Sequence, residues 1–518
     1  MKKKVPLCLL RLCIVLLAVL LVNTSSLFAM TPQSGGTLRL SMNVDIKSLD
    51  PHQIGWQNHE VLRQVFEGIL AVDDGFGIIP GLAHKWEVSD DGLAYTFHMR
   101  KGVKFHNGKE MTADDVKATL DRLTVSSIKS KFETIARTEV TGPYRVTVTL
   151  SKPTATFLIN LASPYTVGVM PKEEIERQGD NIQHPVGTGP FAFVEWIPDR
   201  HVKLKRFADY WGGEGEATGT GGKKTAYADE VIFRPMTERA VRVSALEAGD
   251  LDLVAIPSAE RQRLSTNPNL VIAGTGPTFE FWNFWFNCKA GSPFADLNLR
   301  KAFAHAVNKQ EMLLATTGGT GVVVNSPFPN YSFWYTKAHA PEAGPGYDPA
   351  LAKAYLKKSA YKGETIKIIT SKGYPAMDKQ AVMAQAHLKQ VGINTELEYH
   401  DWSSLFEKYK SGDFDVVSYG YGSHADPDFF YYARMLSTNT FNGWGSPELD
   451  RLAEAARSTT DLEKRKALYD QAQQIINAEL PLLFTFSEEY FYGYGKKLHG
   501  FKPWGAFFLR IWDVWIEK

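Results

Sequence analysis

Three short runs decide the fold: Ile366-Lys367-Ile368, then Ile393-Asn394-Thr395-Glu396-Leu397-Glu398-Tyr399, then Phe414-Asp415-Val416-Val417-Ser418-Tyr419. Each reads as a strand, the second by strict alternation of apolar and polar residues. Between the first two, Ala384, Leu388 and Val391 recur at i, i+4 and i+7, and Gly392 stops the helix they define. Between the second and third, Trp402, Leu405, Phe406 and Tyr409 fall on one helical face that ends at Gly412. The unit is βαβαβ, which builds a parallel sheet covered by helices and binds ligands beyond the carboxyl ends of its strands. The third strand runs into Gly420-Tyr421-Gly422-Ser423-His424-Ala425-Asp426-Pro427-Asp428, so a site is expected there.

Downstream, Ser446 with Pro447, and then Asp461, mark the starts of two further helices. Leu480 to Phe486 reads as a buried strand that carries the chain elsewhere. Upstream the pattern is different. Tyr95, Phe97 and Met99 alternate with polar residues, as do Tyr144, Val146, Val148 and Leu150, and between these strands a helix starts at Thr112 with Asp115 as capping-box partner. That block reads as a small α+β unit. A second helix, capped by Thr237 and carrying Ala240, Val243 and Leu246, stops at Gly249. Ahead of it lies a glycine-rich stretch, Gly212 to Gly222, read as a surface loop; no Gly-Lys-Ser/Thr follows, which sets a phosphate loop aside.

The chain has 518 residues, 44% hydrophobic and 22% charged, enough for two or three domains. Lys2, Lys3, Lys4 and Arg11 precede residue 30 with no acid among them, leaving 54 basic against 57 acidic residues in the body. That near balance gives no footprint for nucleic acid. The basic start, the apolar run from Leu12 to Val22 and the small-residue exit to Ala29 read as a secretory signal peptide over residues 1–29, too short to span a bilayer. Cys8 and Cys13 fall inside it and lack the small residues that precede a lipidated cysteine. The mature chain then keeps Cys288 alone, so it relies on a large core and forms no internal disulfide.

Catalytic signatures fail one by one: there is no Gly-x-Ser-x-Gly, no His-Glu-x-x-His and no Cys-x-x-Cys. His424, Asp426 and Asp428 form the densest candidate ligand cluster, but Asp-Pro-Asp also suits the start of a helix, and that reading is preferred. No metal and no cofactor are expected. Tyr421, Phe441 and Trp444 lie in Gly- and Asn-rich contexts where they are placed to line a ligand cleft.

Longer stretches carry a resemblance. Gly81-Leu82-Ala83-His84-Lys85-Trp86, Asp91-Gly92, Tyr95-Thr96-Phe97, Arg100 to Asn107-Gly108 and Thr112-Ala113-Asp114-Asp115-Val116 lead, in order, to Pro185-Val186-Gly187-Thr188-Gly189-Pro190-Phe191 and Leu246 to Val254. Asn287, Pro293-Phe294, Leu299-Arg300-Lys301-Ala302, Asp348-Pro349 and Gly412-Asp413-Phe414-Asp415 complete the series. Together they resemble the family 5 solute-binding proteins of bacterial ABC importers, which include dipeptide, oligopeptide, glutathione and nickel-complex binders. The resemblance implies an α/β, two-lobe periplasmic-binding-protein (flytrap) fold with hinge strands and an extra α+β subdomain. Lobe I would comprise 30–56, 187–272 and 486–518, the subdomain 57–186, and lobe II 273–485. It implies no enzymatic activity, a small peptide or peptide-like ligand held between lobes, a periplasmic location, a monomer, and an ABC permease/ATPase complex at the inner membrane as partner. Opine, glutathione-like, sugar or metal-chelate ligands, or a chemosensory role, stand as alternatives.

Two departures matter. Where the peptide binders hold an aspartate for the ligand's α-ammonium, this chain has Ser423, with Asp426 three residues on as a substitute; and where the nickel binders hold arginine, it reads Ala162-Ser163-Pro164-Tyr165. The expected ligand contacts are Tyr421, Ser423, His424 and Asp426 at the strand end, Trp402, Phe441 and Trp444 as apolar walls, and Trp56 and Arg63 from the opposite lobe. Arg434 is a candidate for a ligand carboxylate.

Overall fold

The computed structural model describes residues 31–53, 56–163, 168–422, 424, 426–506 and 508–518, with the side chains of residues 56 and 57 left aside. The readings made on residues 1–29, Ser423 and Pro164-Tyr165 lie outside them. Among the described residues no helix is long and apolar enough to cross a membrane.

The βαβαβ unit forms as its periodicity dictates. Ile366–Thr370, Thr395–Tyr399 and Val416–Tyr421 are parallel strands, joined by helices Pro375–Val391 and Trp402–Ser411. Both helices stop at glycines in the left-handed region, Gly392 (φ 94°) and Gly412 (φ 81°), where a Cβ is strained. Phe281–Phe286 and Leu482–Phe484 add antiparallel to complete a five-stranded sheet in the order Thr395–Tyr399, Ile366–Thr370, Val416–Tyr421, Phe281–Phe286, Leu482–Phe484. One face packs on helices Pro447–Ser458 and Leu462–Glu479, the other on Leu297–Ala306 and Pro375–Val391. Ser446 and Asp461 cap the first two of these helices, as their sequence signals predict.

A second sheet has seven strands, with Thr37–Met42 near its centre parallel to Glu230–Pro235, and Leu270–Pro277 and Glu489–Gly495 at one side. The chain passes between the two sheets twice. Leu270–Pro277 continues through Thr278 to Glu280 into Phe281–Phe286, and Leu482–Phe484 returns through Phe486–Ser487 into Glu489–Gly495. The two passages lie side by side: Thr278 N donates to the Glu488 carbonyl (3.1 Å) and Ser487 Oγ to the Thr278 carbonyl (2.9 Å).

The α+β block forms a four-stranded antiparallel sheet, ordered Ala83–Val88, Ala94–Met99, Arg145–Leu150, Ile135–Gly142. Helix Ala113–Leu123 lies on it, and its capping box is intact, with Thr112 N donating to Asp115 Oδ2 (2.9 Å). Two sequence expectations need correction. The helix expected to be capped by Thr237 has Glu238 as its N-cap and runs over Arg239–Ala248. The glycine stretch is no free surface loop: Thr220 N donates to the Val72 carbonyl, and a Cβ at Gly219 would meet that same oxygen, so glycine permits the chain to lie flat on the subdomain hairpin. Cys288 is a free, half-buried thiol, pushed up to about 11 by burial.

Candidate solute-binding site

The strand expected to end at Tyr419 runs on to Tyr421, because the neighbouring antiparallel strand pairs Phe281 with Tyr421 and Trp282 with Gly420. Alternation then separates two faces. Tyr419 and Tyr421 turn into the core, where Tyr421 stacks on Phe281 with ring centroids 5.2 Å apart and is only 7% exposed. This corrects the reading of Tyr421 as a loop-tip residue. Gly420 and Gly422 face the other way, toward Trp282 and Glu280: a Cβ on Gly420 would lie 2.4 Å from the Trp282 ring, and one on Gly422 would lie 3.9 Å from Glu280 Oε1.

Beyond the strand, Phe279, Phe281, Phe328, Gly422, His424, Asp426 and Phe429 border a narrow pocket of about 10 Å³. His424 stacks on Phe429, and the Arg434 guanidinium sits 5.3 Å from the same ring. Arg434 has its Nε buried without a hydrogen-bond partner, and its guanidinium enters no ion pair among the described residues. Close to it, Tyr421 Oη is likewise buried and without a partner. Burial, then the charges of Lys131 and Arg434, push the His424 imidazole down to about 3. Lys131 ends the short turn Lys129–Lys131 of the α+β block. The same lysine acts on His59, which burial, Arg63 and then Lys131 push down to about 3. Lys131 thus acts on a histidine of helix Trp56–Val65 and on one in the loop after Tyr421.

Asp426 is not available to a ligand ammonium, which corrects its role as substitute clamp. Both its oxygens accept from Arg465, at 2.6 Å each, and the Arg465 side chain is 1% exposed. Asp428 starts helix Asp428–Tyr431 and is pushed up to about 6 by burial and by Asp426. The Asp-Pro-Asp run is thus helix-start chemistry, and among the described residues no group of three or more His, Cys, Asp or Glu is placed to hold a metal.

The remaining candidates divide. Trp444 is buried, its indole N–H donating to Glu479 Oε2 (2.8 Å), so it is a core residue and not a cleft wall. Phe441 packs edge-on against Tyr409 and Phe406, while Trp402, 38% exposed, stacks on Phe406 beside Tyr374 and Tyr419. Trp56 opens helix Trp56–Val65, and Arg63, on the same helix, donates to the Ser163 carbonyl (3.1 Å). Sequence reasoning missed Lys131, Phe429 and Glu280. Glu280 did leave a signal: it is the one charge in the run Phe279-Glu280-Phe281-Trp282-Asn283-Phe284-Trp285-Phe286.

Two sheets bridged by a pair of crossing segments, with an aromatic pocket beyond the strand end, give the chain the architecture of a two-lobe binding protein. Residues 77–443 match the family described as bacterial extracellular solute-binding proteins, family 5, and the chain belongs to it. A di/tripeptide-binding protein of Pseudomonas aeruginosa is 30% identical over 83% of this chain and 85% of its own. Among solved structures, the Helicobacter pylori periplasmic binding protein DppA in complex with the peptide STSA is 27% identical (TM-score 0.71, covering 94% of this chain and 99% of that one). The protein AgaA from A. tumefacien R10 in complex with agropinic acid is 26% identical (TM-score 0.70, covering 93% and 99%). Members of this family are non-catalytic components that bind a solute for an ABC permease, and the chain is accordingly not an enzyme.

Proposed function

We propose that this protein captures a small, carboxylate-bearing peptide or peptide-like solute between its two lobes and delivers it to an inner-membrane permease from the periplasm. The lobes would follow the boundaries read from the sequence, with 273–485 forming the second. The observation that carries the reading is Arg434. A guanidinium set over Phe429, with a buried Nε and no counter-ion among the described residues, is costly to maintain in the free protein and suited to a planar carboxylate. Lys131, which also acts on His424, adds to the same field. The aromatic faces of Phe429 and Phe281 suit the apolar part of such a solute.

A second reading, an opine-like solute without a free α-ammonium, is favoured by one feature: the only acid of the strand-end loop ahead of Pro427 is Asp426, and Arg465 occupies it. A thermal-shift panel of di- and tripeptides, glutathione, agropinic acid and simple sugars separates these. A solute at 100 times its dissociation constant stabilises the folded state by about 2.7 kcal/mol. Shifts with peptides or glutathione support the first reading; a shift with agropinic acid alone supports the second; shifts with sugars alone overturn both.

A further inference from the structure

Glu280 lies in the first crossing segment, immediately before the strand Phe281–Phe286. Its Oε2 accepts from Tyr490 Oη (2.5 Å), a residue of the second crossing strand, and its backbone N donates to Thr278 Oγ1 (3.3 Å). Oε1 is different. It makes no hydrogen bond or ion pair among the described residues, and it faces the space that Gly422 leaves clear, 3.9 Å from where a Cβ would stand. Gly422 presents no side chain to the carboxylate, whereas the space beside Gly420 is filled by the Trp282 ring.

The charges around Glu280 are also unusual. No cation lowers its pKa; burial and the neighbouring Glu488 push it up to about 7, against the single hydrogen bond from Tyr490. Lys379 and Arg239 act on Glu488, as does the Trp282 indole. Glu280 is thus a half-buried carboxylate with one open oxygen and, like Arg434, no counter-ion among the described residues. The two stand by opposite faces of one strand end, Glu280 by Gly422 and Arg434 by the aromatic cluster of Tyr421 and Phe429.

From the open oxygen beside Gly422 we infer that Glu280 receives the ammonium group of the solute, the carboxylate of which the reading above assigns to Arg434. The inference rests on the peptide-like reading above and assigns the amine a place outside the strand-end loop. It also ties ligand capture to the crossing segments: Glu280 and its partner Tyr490 belong to the two strands that join the lobes, so a cation bound there contacts the part of the chain about which the lobes move.

The test is calorimetric titration of the wild-type protein and Glu280→Gln with Ala-Ala, Ala-Ala-Ala and glutathione, each free and N-acetylated. Loss of one partner of a desolvated charge pair is expected to weaken binding by about 30-fold or more. The inference predicts that loss both for Glu280→Gln with a free-amine probe and for wild type with the acetylated probe. The second comparison needs no variant, so a folding defect in Glu280→Gln leaves the prediction exposed. Free-amine probes that bind the variant within threefold of wild type overturn the role of Glu280 and leave the peptide reading standing. Acetylated probes that bind wild type as tightly as free amines overturn the inference as well. If wild type binds none of the six probes but takes agropinic acid, the inference and the peptide reading fall together.

Discussion

Two charged regions flank the end of the strand Val416–Tyr421, and they are built on opposite principles. In the first, Asp426 and Arg465 form a two-point ion pair, Arg465 also donates to the Tyr469 hydroxyl oxygen and to the Ala456 carbonyl, and the two charges are matched inside the protein. In the second, Arg434 keeps a buried Nε without a partner, Glu280 keeps an open oxygen, and neither has a counter-ion among the described residues. The chain spends no ligand chemistry on the first and holds the second in reserve. Residue type and position after a strand do not distinguish them; the partners do. A matched pair belongs to the fold, whereas unmatched charge in a cleft is a place for something else to bind.

The sharpest way to break this contrast is Arg465→Met, which leaves Asp426 unpaired in a buried site. Unfolding should lose about 3–5 kcal/mol, read by denaturant melts; a change below 1 kcal/mol would show that the pair is not the structural element described. His424 gives a pH test of similar kind. Its folded pKa of about 3 lies below the unfolded value of 6.5, so the unfolded chain takes up its proton first, and this contribution to stability is full above 6.5 and lost as pH falls toward 3. His424→Gln should therefore remove roughly 1.4 kcal/mol per pH unit from the slope of stability between those limits. Unchanged slopes in variant and wild type would mean that the imidazole is not held neutral beside Lys131 and Arg434.

Smaller effects sharpen the comparison. Trp444→Phe removes one hydrogen bond to the half-buried Glu479 carboxylate, for an expected loss of about 1–2 kcal/mol, with solute affinity unaltered. A fall in affinity at constant fold would restore Trp444 to the cleft wall. Glu280→Gln has the opposite sign. The folded carboxylate, at about 7, binds its proton more tightly than the unfolded one, at 4.5, so its charge costs stability as pH rises through that window. Without ligand, the variant should melt roughly 1–2 °C higher than wild type at pH 8 and level with it at pH 4. A lower melting temperature at pH 8 would indicate an unseen cation on Glu280.

The fold was legible where periodicity and caps speak directly. The parallel unit from Ile366 to Tyr421, the Thr112 and Asp115 capping box and the helix starts at Ser446 and Asp461 follow from side-chain spacing and end chemistry, which act locally. The site was less legible because its contacts are set by residues distant in sequence. Tyr421 was read as loop because its glycine neighbours suggest one, yet pairing with Phe281, 140 positions earlier, extends the strand and turns the ring inward. Asp426 looked like a free acid because Arg465, 39 positions later, carries no motif. Trp444 sat among glycines that face Lys289 and Ser437 rather than solvent. Lys131 acts on the strand-end loop from the α+β block, through a proximity that no run of sequence encodes. Glu280 was the exception, since a lone acid in an aromatic run is visible in the sequence itself.

The most direct measurement is a calorimetric titration of Arg434→Met against wild type, using whichever of Ala-Ala, glutathione or agropinic acid gives the largest thermal shift. The account predicts one solute per chain for wild type, affinity weakened by about 30-fold or more in the variant, and no loss of melting temperature, because Arg434 supports no contact that folding needs beyond its place over Phe429. Equal affinity in the two proteins, or a variant that melts well below wild type, would show that the unpaired arginine serves the fold and that the solute binds elsewhere.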